Sequence, residues 1–299
     1  MSTQTLFANE NERLTDERLR LVCDEYGARV CPKVRVADTL KVSRHSLSND
    51  LFSYALRAHF DFVIYDPEDL HRPLFAIEFD GESHSRATQI ERDEKKNHLC
   101  ELNQFPLLRI NSNWLSQSYH QKDILTYLIE RYFLEKSFEE AQEKGIIPEE
   151  EGFDPSSLLI TQDGKTSHLL WLSEYVEKEY RRLHKKKIIK EHIPSFLIAE
   201  DKSNNLRAIG WTMISSSYGI LARTGMKHKL FKFGLEDAIE EIIRIETFEA
   251  LKSSLSGSKP HRSFAHIRKT VSDFVKECAS ENKSRILIHH AQYFGNPWW

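Results

Sequence analysis

The pattern of hydrophobic positions in the first half of the chain predicts two neighbouring strands that carry acidic residues. Residues 59–65 read His-Phe-Asp-Phe-Val-Ile-Tyr and place Asp61 inside an apolar run. Residues 74–80 read Leu-Phe-Ala-Ile-Glu-Phe-Asp, which places Glu78 inside a second apolar run and Asp80 two positions later. Runs rich in Phe, Ile and Val on either side of a polar turn are typical of β-strands. A short connection favours an antiparallel pair with Asp61 beside Glu78, and alternation turns Asp80 to the face of Glu78.

Helical periodicity surrounds these strands. Apolar residues repeat at helical spacing over residues 10–27, and Gly27 is a suitable helix end. A strand is predicted at residues 105–110, and a long amphipathic helix is predicted at residues 121–145. The stretch that follows is acidic and contains Pro and Gly, as linkers often do. We therefore expect a first domain over residues 1–145, a linker over 146–157 and a second domain over 158–299.

The second half of the chain has an α+β pattern. A helix through Leu172 and Tyr180 leads into a basic run, and a hairpin is predicted from two apolar runs around the polar residues 201–205. Two more helices are predicted at residues 235–253 and 262–280. The second half resembles no family that we can name.

Carboxylates inside apolar strands indicate a cation-binding site. Burying an unpaired charge is costly, so Asp61 and Glu78 need cations or hydrogen-bond donors around them. With Asp80 they supply an oxygen-rich set, and His84 follows shortly after. Such a set suits Mg²⁺ or Mn²⁺ better than a zinc cage, and it favours chemistry on phosphate esters. The alternative is a set of structural ion pairs.

The order of these residues resembles the PD-(D/E)XK nuclease superfamily. The resemblance rests on Asp61, the Glu-x-Asp-Gly-x-x-His run at 78–84, Arg92-Asp93 and the Pro-Leu-Leu-Arg run at 106–109. Within the superfamily it is similar to the branch related to very-short-patch-repair endonucleases, and to a bacterial domain family of uncharacterised function. Residues 31–40 are similar to the first strand of that family, and the resemblance covers about residues 10–135.

The resemblance implies an α/β fold with a restriction-endonuclease-like core, in which helices flank a mixed central sheet, followed here by the C-terminal α+β domain. It implies that Asp61 is the first metal-binding aspartate and that Glu78 is the second acidic ligand. Asp80 replaces the lysine of the motif, as it does in the related branch, and could bind the metal as well. The group that activates water is therefore left open.

A lysine from the following helix is the candidate to replace the motif lysine. Gln89, Asp93, Lys96 and Cys100 fall on one stripe at helical spacing, so Lys96 is the first candidate and Lys95 the second. The alternative is a solvated helix face with i,i+4 ion pairs.

Three further assignments stay open. His84 could bind the metal, position water or shuttle a proton, or it could cap the loop. Glu12 or Glu17 could join the metal shell, as a glutamate of the first helix does in many members of the superfamily, although acidic residues are common in a first helical turn. Arg109 could contact phosphate or pair with a core carboxylate.

Charge and composition limit how the chain could bind nucleic acid. It has 299 residues, 40% of them hydrophobic, and a net charge of −3, so phosphate contacts would have to come from local basic patches. Candidates in the first domain are Arg92, Lys95 and Arg109. The basic run of the second domain supplies Arg181, Arg182, Lys185, Lys186 and Lys187. The alternative for that run is a solvated helix end, which basic residues also suit.

The remaining features concern location and partners. No signal peptide or membrane span is recognisable, and the four cysteines have no metal or disulfide spacing, which favours a cytoplasmic protein. Trp298 and Trp299 are expected to dock against the protein's own core, a second subunit or another partner.

Together these features predict a metal-dependent nuclease that hydrolyses phosphodiester bonds with Mg²⁺ or Mn²⁺. DNA is favoured by analogy with the superfamily, in defence against foreign DNA or in repair. The first alternative is a nucleic-acid-binding or scaffold module that has the nuclease fold without catalysis. The second is a nuclease that acts on RNA.

Overall fold

The chain has a mixed α/β fold and divides into two compact units. The computed structural model describes residues 9–69, 71–80, 87–116, 122–155, 158–162, 165–168, 171–201, 205–227, 230–231, 233–280 and 285–290. The first unit comprises Met1–Gly152 and Leu230–Phe233, and the second comprises Phe153–Lys229 and Gly234–Trp299. The division after Gly152 falls inside the stretch expected to be a linker. The inclusion of residues 230–233 in the first unit has no counterpart in the sequence analysis.

The first unit contains a four-stranded mixed sheet. Its strands are β1 (Arg29–Arg35), β2 (His59–Tyr65), β3 (Pro73–Phe79) and β4 (Leu107–Ile110), in that spatial order. Strand β2 pairs antiparallel with β1 and with β3, whereas β4 is parallel to β3. The antiparallel pairing predicted for β2 and β3 is thus confirmed.

Six helices of the first unit lie among the described residues. They are α1 (Glu10–Glu25), α2 (Val36–Thr39), α3 (Asn49–Ala55), α4 (Ala87–Leu102), α5 (Ser112–Ser116) and α6 (Ile124–Glu143). Helix α1 ends just before Gly27, whose φ of 68° is the left-handed conformation that glycine adopts readily. Helix α6 begins later than predicted because the side chain of Asp123 caps it by accepting the N–H of Thr126. The strand expected over residues 31–40 ends at Arg35, where α2 begins.

Apolar side chains cover both faces of this sheet. Ala76 belongs to a buried cluster with Ala55 of α3 and with Leu99 and Cys100 of α4. The neighbouring residue Phe75 points to the opposite face, since side chains alternate along a strand. There its ring lies 4.6 Å from the ring of Tyr132 in α6. The sheet is therefore flanked by α3 and α4 on one side and by α6 on the other.

The second unit contains a five-stranded antiparallel sheet and a separate hairpin. The hairpin pairs β5 (Leu159–Gln162) with β6 (Lys165–His168). The sheet has the order β10-β9-β8-β7-β11, from β7 (Ser195–Glu200), β8 (Asn205–Met213), β9 (Tyr218–Lys227), β10 (Arg262–Ser263) and β11 (Arg285–His290). The hairpin predicted around residues 201–205 is confirmed as β7 and β8.

Helices cover both faces of the second sheet as well. They are α7 (Glu174–Lys185), α8 (Leu235–Leu255) and α9 (Phe264–Ser280). Ile209 and Trp211 of β8 belong to a cluster with the apolar residues of α9. Gly210, between them, faces α8 so closely that an added Cβ would lie 2.1 Å from Oγ1 of Thr247. Among the described residues, no helix is long and apolar enough to cross a membrane.

Candidate functional site

Asp61 and Glu78 meet where strands β2 and β3 part. The ladder between these strands pairs Phe62 with Ile77. One step further, Oδ2 of Asp61 accepts the N–H of Phe79 at 2.9 Å, and the N–H of Asp61 donates to Oε1 of Glu78 at 3.2 Å. The two carboxylates thus take over the role of backbone carbonyls at the end of the strand pair. This exchange fixes the two acidic side chains beside each other.

Helix α4 brings a lysine to this pair of carboxylates. Nζ of Lys96 lies 2.6 Å from Oε2 of Glu78 and donates to the carbonyl oxygen of His59 at 2.8 Å. Both side chains are buried, with 7% of Glu78 and 9% of Lys96 exposed. Burial raises the pKa of Glu78, the ammonium group of Lys96 opposes that rise, and the charge of Asp61 adds to it.

Lys95, the other lysine candidate, points elsewhere. Its Nζ pairs with Asp50 at 2.8 Å and with Glu91 at 2.7 Å, and both carboxylates are largely exposed. The structure therefore brings Lys96 to the acidic pair and gives Lys95 the solvated, ion-paired arrangement that was the alternative for both lysines.

A lysine that the sequence analysis did not select also reaches the site. Lys33 lies on β1 between Pro32 and Val34, which pair with Phe62 and Phe60, so its partner position is Asp61. Its Nζ lies 2.7 Å from Asp61 and 3.0 Å from Glu12 of α1. Burial lowers the pKa of Lys33, but its hydrogen bonds to the two carboxylates outweigh burial and raise the pKa above its usual value.

The backbone of Lys33 is left-handed, with φ of 54°. A residue with a Cβ rarely adopts this conformation, which costs roughly 1–2 kcal/mol. The strand is thus distorted at the residue that joins Glu12 to Asp61. Glu17, the other candidate on α1, pairs with the exposed Arg13 instead.

Asp80 has a cationic partner of its own. It follows β3 directly, and its Oδ1 lies 2.7 Å from Nη1 of Arg109. Arg109 also lies 3.4 Å from Asp93 and donates to Oδ1 of Asn97. Arg109 is therefore buried as a partner of carboxylates, which was one of its two predicted roles.

A pocket of about 470 Å³ adjoins the acidic pair. Lys96 forms part of its wall, so the pocket and the Glu78–Lys96 pair share a side chain. The other polar wall residues are Tyr54, Arg57, His59, Gln89, Arg92 and Asp93. Arg92, predicted as a phosphate contact, is therefore next to the site.

Other predicted residues lie elsewhere or outside the described part of the chain. His84 belongs to residues 81–86, and Trp298 and Trp299 belong to 291–299, which the structure does not describe. Arg181 and Arg182 pair with Glu177 and Glu179 on α7. The three lysines 185–187 are exposed at the end of that helix in the second unit.

The carboxylates of the site fit a hard divalent cation by their chemistry. Asp61 and Glu78 supply oxygen donors side by side, Glu12 reaches the same ammonium group as Asp61, and the charge of Asp61 raises the pKa of Glu78. Lys33 and Lys96 now supply the positive charge. Across the described residues, no three His, Cys, Asp or Glu side chains form a group that could hold a metal.

Pairing between distant strands explains why the sequence analysis missed Lys33. The lysine precedes Asp61 by 28 residues, and only the register of β1 on β2 brings them together. Tyr54 and Arg57 were missed for a similar reason, because they lie far from Arg92 in the sequence and only the packing of α3 against α4 brings them to one pocket.

Comparison with known proteins gives a family match over part of the chain. A family model described as a protein of unknown function, DUF2726, matches residues 3–130. This segment includes Glu12, Lys33, Asp61, Glu78 and Lys96, and it lies within the first unit. No curated protein matches the chain, and no solved structure matches it.

Proposed function

We propose that the first unit is a metal-dependent nuclease that hydrolyses phosphodiester bonds. The observation that carries the proposal is the meeting of Asp61 and Glu78 at the parting ends of β2 and β3, with Lys96 of α4 on Glu78. A restriction-endonuclease-like core is part of the proposal. It is supported by a mixed sheet in which α4 joins the parallel strands β3 and β4 and helices cover both faces.

Asp61 and Glu78 would hold Mg²⁺ or Mn²⁺, with Glu12 as a further ligand. Such a metal would polarise the scissile phosphate, lower the pKa of a bound water and neutralise charge on the leaving oxygen. Asp80 would be a further ligand, although its Oδ1 lies 2.7 Å from Nη1 of Arg109. His84 stays a candidate for proton transfer or for the metal.

Lys96 takes the place of the lysine that the motif lacks. Two of the three N–H bonds of its ammonium group point at Glu78 and at the carbonyl oxygen of His59. Because Lys96 also lines the pocket, its third N–H can donate to a water or to a phosphate oxygen there. Lys96 would thus orient Glu78 and stabilise negative charge next to it.

A catalytically inactive nucleic-acid-binding module is the second candidate. The observation that favours it is the set of protein cations at the site, because Lys33, Lys96 and Arg109 between them neutralise Asp61, Glu78 and Asp80. A site saturated in this way would have little affinity for a divalent metal.

A cleavage assay tests the proposal. The purified full chain is incubated with supercoiled plasmid, linear duplex, single-stranded DNA and RNA, each in Mg²⁺, Mn²⁺ or EDTA. Cleavage that requires metal supports a nuclease, and the preferred substrate decides between DNA and RNA. No cleavage of any of these substrates contradicts the proposal.

Titration calorimetry with Mn²⁺ then distinguishes the two candidates. The nuclease should bind Mn²⁺, and Asp61→Asn should abolish the binding. The inactive module should show no heat of binding in either protein.

In this proposal the second unit has an auxiliary role in targeting, regulation or assembly. Assembly here means binding to a second copy of the chain or to another protein. Its exposed lysines 185–187 at the end of α7 would contact the phosphate backbone without reading sequence. Defence against foreign DNA and repair are the processes that such an arrangement would serve.

A further inference from the structure

The pocket beside Glu78 and Lys96 has two exposed arginines on its wall. Arg57 precedes β2, and Arg92 lies on α4. The guanidinium of Arg57 donates to the carbonyl oxygen of Ser53. Two positive charges are thus held next to the candidate catalytic pair, and the carboxylate of Asp93 in the same wall lies 3.4 Å from the buried Arg109.

The rest of the wall supplies an aromatic ring and polar groups. The hydroxyl of Tyr54 donates to the carbonyl oxygen of Arg92 at 2.8 Å, which joins α3 to α4 across the pocket. Burial raises the pKa of Tyr54, and the charge of Glu78 adds to that rise, so the phenol stays neutral. The side-chain amide of Gln89 donates to Asp93. An aromatic ring beside amide and carboxylate groups suits a nucleic-acid base, which stacks and forms hydrogen bonds at its edge.

We propose that this pocket binds one unpaired nucleotide of the substrate, next to the bond that is cut. The nucleotide's phosphate would contact Arg57 and Arg92, and its base would contact Tyr54, Gln89 and Asp93. This inference rests on the proposed nuclease function, because the pocket shares Lys96 with the candidate catalytic site. It names the substrate more narrowly than that function does.

The size of the pocket is the reason for an unpaired nucleotide. Its volume of about 470 Å³ lies in the lower part of the range of roughly 300–1,000 Å³ that small-ligand sites occupy. A nucleotide in a duplex is stacked and paired, so it would have to leave the helix to enter such a pocket, at a cost of a few kcal/mol. A single strand, a flap or a frayed end presents such a nucleotide without that cost. We therefore expect preference for unpaired DNA or RNA over intact duplex.

The test is binding of the full chain in EDTA, where metal-dependent cleavage cannot occur. Fluorescence anisotropy measures the affinity for a labelled single strand and for the duplex of the same sequence. The variants are Arg57→Gln and Arg92→Gln. The control, Arg29→Gln, removes an exposed arginine opposite Tyr65, at the far end of β2 from His59.

The proposal predicts tighter binding of the single strand than of the duplex. Each pocket variant should weaken single-strand binding by roughly tenfold or more, as expected for the loss of a hydrogen bond to a charged group, while Arg29→Gln binds like the wild type. Equal affinity for duplex and single strand, or equal loss of affinity in all three variants, would overturn the proposal.

Cleavage in Mg²⁺ is measured separately. Selective binding without cleavage supports the pocket and contradicts the nuclease, whereas cleavage without selective binding does the reverse.

Discussion

Lys33 joins two carboxylates that would otherwise face each other across the edge of the sheet. Its ammonium group contacts Asp61 and Glu12, both of which are mostly buried. The unfavourable φ of 54° at Lys33 accompanies this contact. At the proposed metal site, a divalent cation and the lysine would thus be alternative sources of positive charge. This competition makes the metal site testable without an assay of activity.

Replacement of Lys33 by methionine should destabilise the metal-free protein and strengthen its response to Mn²⁺. The free energy of unfolding should fall by an amount between the roughly 1 kcal/mol of an exposed ion pair and the roughly 3 kcal/mol of a buried one, because Lys33 is half-buried. Thermal melts with and without Mn²⁺ measure both effects. Lys95→Met is the control, because Lys95 pairs with exposed carboxylates away from the site. An equal Mn²⁺ response in Lys33→Met and the wild type would contradict this account.

Glu191 in the second unit should make the free energy of unfolding depend on pH. Only 3% of it is exposed, and burial raises its pKa from 4.5 to about 8, while the N–H of Met213 that it accepts opposes the rise. Between these two pH values the unfolded chain releases the proton and the folded chain keeps it. Stability therefore falls as pH rises through this window, by at most about 5 kcal/mol.

Glu191→Gln should remove this pH dependence, because the amide cannot ionise and its oxygen can still accept the N–H of Met213. Urea unfolding of both proteins from pH 5 to pH 8 measures the difference in the free energy of unfolding. The variant should gain stability relative to the wild type as pH rises. Parallel curves would show that Glu191 is ionised in the folded protein.

At the scale of elements, hydrophobic patterns along the chain predict the strands and helices. The pairing of the strands then determines which side chains meet at the site. The apolar runs of β2 and β3 and the turn between them were enough to predict that Asp61 and Glu78 lie together. The resemblance and the helical spacing of α4 together made Lys96 the first candidate for the missing lysine, with a solvated helix face as the alternative. The partner position of Lys33 was not predictable, because it depends on the register of β1 against β2. Residues 81–86 lie outside the described part of the chain, so the prediction for His84 stays a prediction.

The close packing of β8 against α8 predicts a strong effect of one methyl group. Gly210→Ala would place its Cβ 2.1 Å from Oγ1 of Thr247 and 3.0 Å from Cγ1 of Ile243. Either the Thr247 side chain, which donates to the carbonyl oxygen of Ile243, or the helix must then shift. We expect a loss of about 1–3 kcal/mol in the free energy of unfolding. Gly152→Ala is the control, because nothing lies within 4 Å of its added Cβ.

Thr247→Ala provides a second check of this contact. The loss from Gly210→Ala should be smaller when Thr247 is already alanine, since the closest atom is then gone. Additive losses in urea unfolding would show that the two residues do not interfere with each other.

At the scale of the whole molecule, the first unit is completed by a segment from the second half of the sequence. Phe231 is fully buried, and its ring lies 5.4 Å from that of Phe75 and 6.2 Å from that of Tyr132. The carbonyl oxygen of Leu230 accepts the N–H of Leu107, at the start of β4. Composition and linker signals place a boundary near residue 150, but they cannot show that a later segment returns to the first core.

Phe231→Ala should therefore destabilise the first unit, although residue 231 lies far beyond Gly152, where the main part of that unit ends. Loss of a buried phenylalanine typically costs about 3–5 kcal/mol. Hydrogen exchange should accelerate in β3 and α6, which pack against this ring. Ile146→Ala, which removes a side chain of a residue that is 73% exposed, should leave exchange unchanged. Unchanged exchange in β3 and α6 of Phe231→Ala would contradict the assignment of this segment to the first unit.

The central claim is that Asp61 and Glu78 form the metal site of a nuclease, and nicking of supercoiled plasmid in Mg²⁺ tests it most directly. The wild type is compared with two variants, Glu78→Gln and Glu94→Gln. The second variant is the control, because it changes an exposed glutamate of α4. The account predicts nicking that EDTA abolishes, a loss of at least about 100-fold in Glu78→Gln, and wild-type rates in Glu94→Gln. Nicking that survives in Glu78→Gln would contradict it, as would a wild type that cleaves neither the plasmid nor a single strand of DNA or RNA.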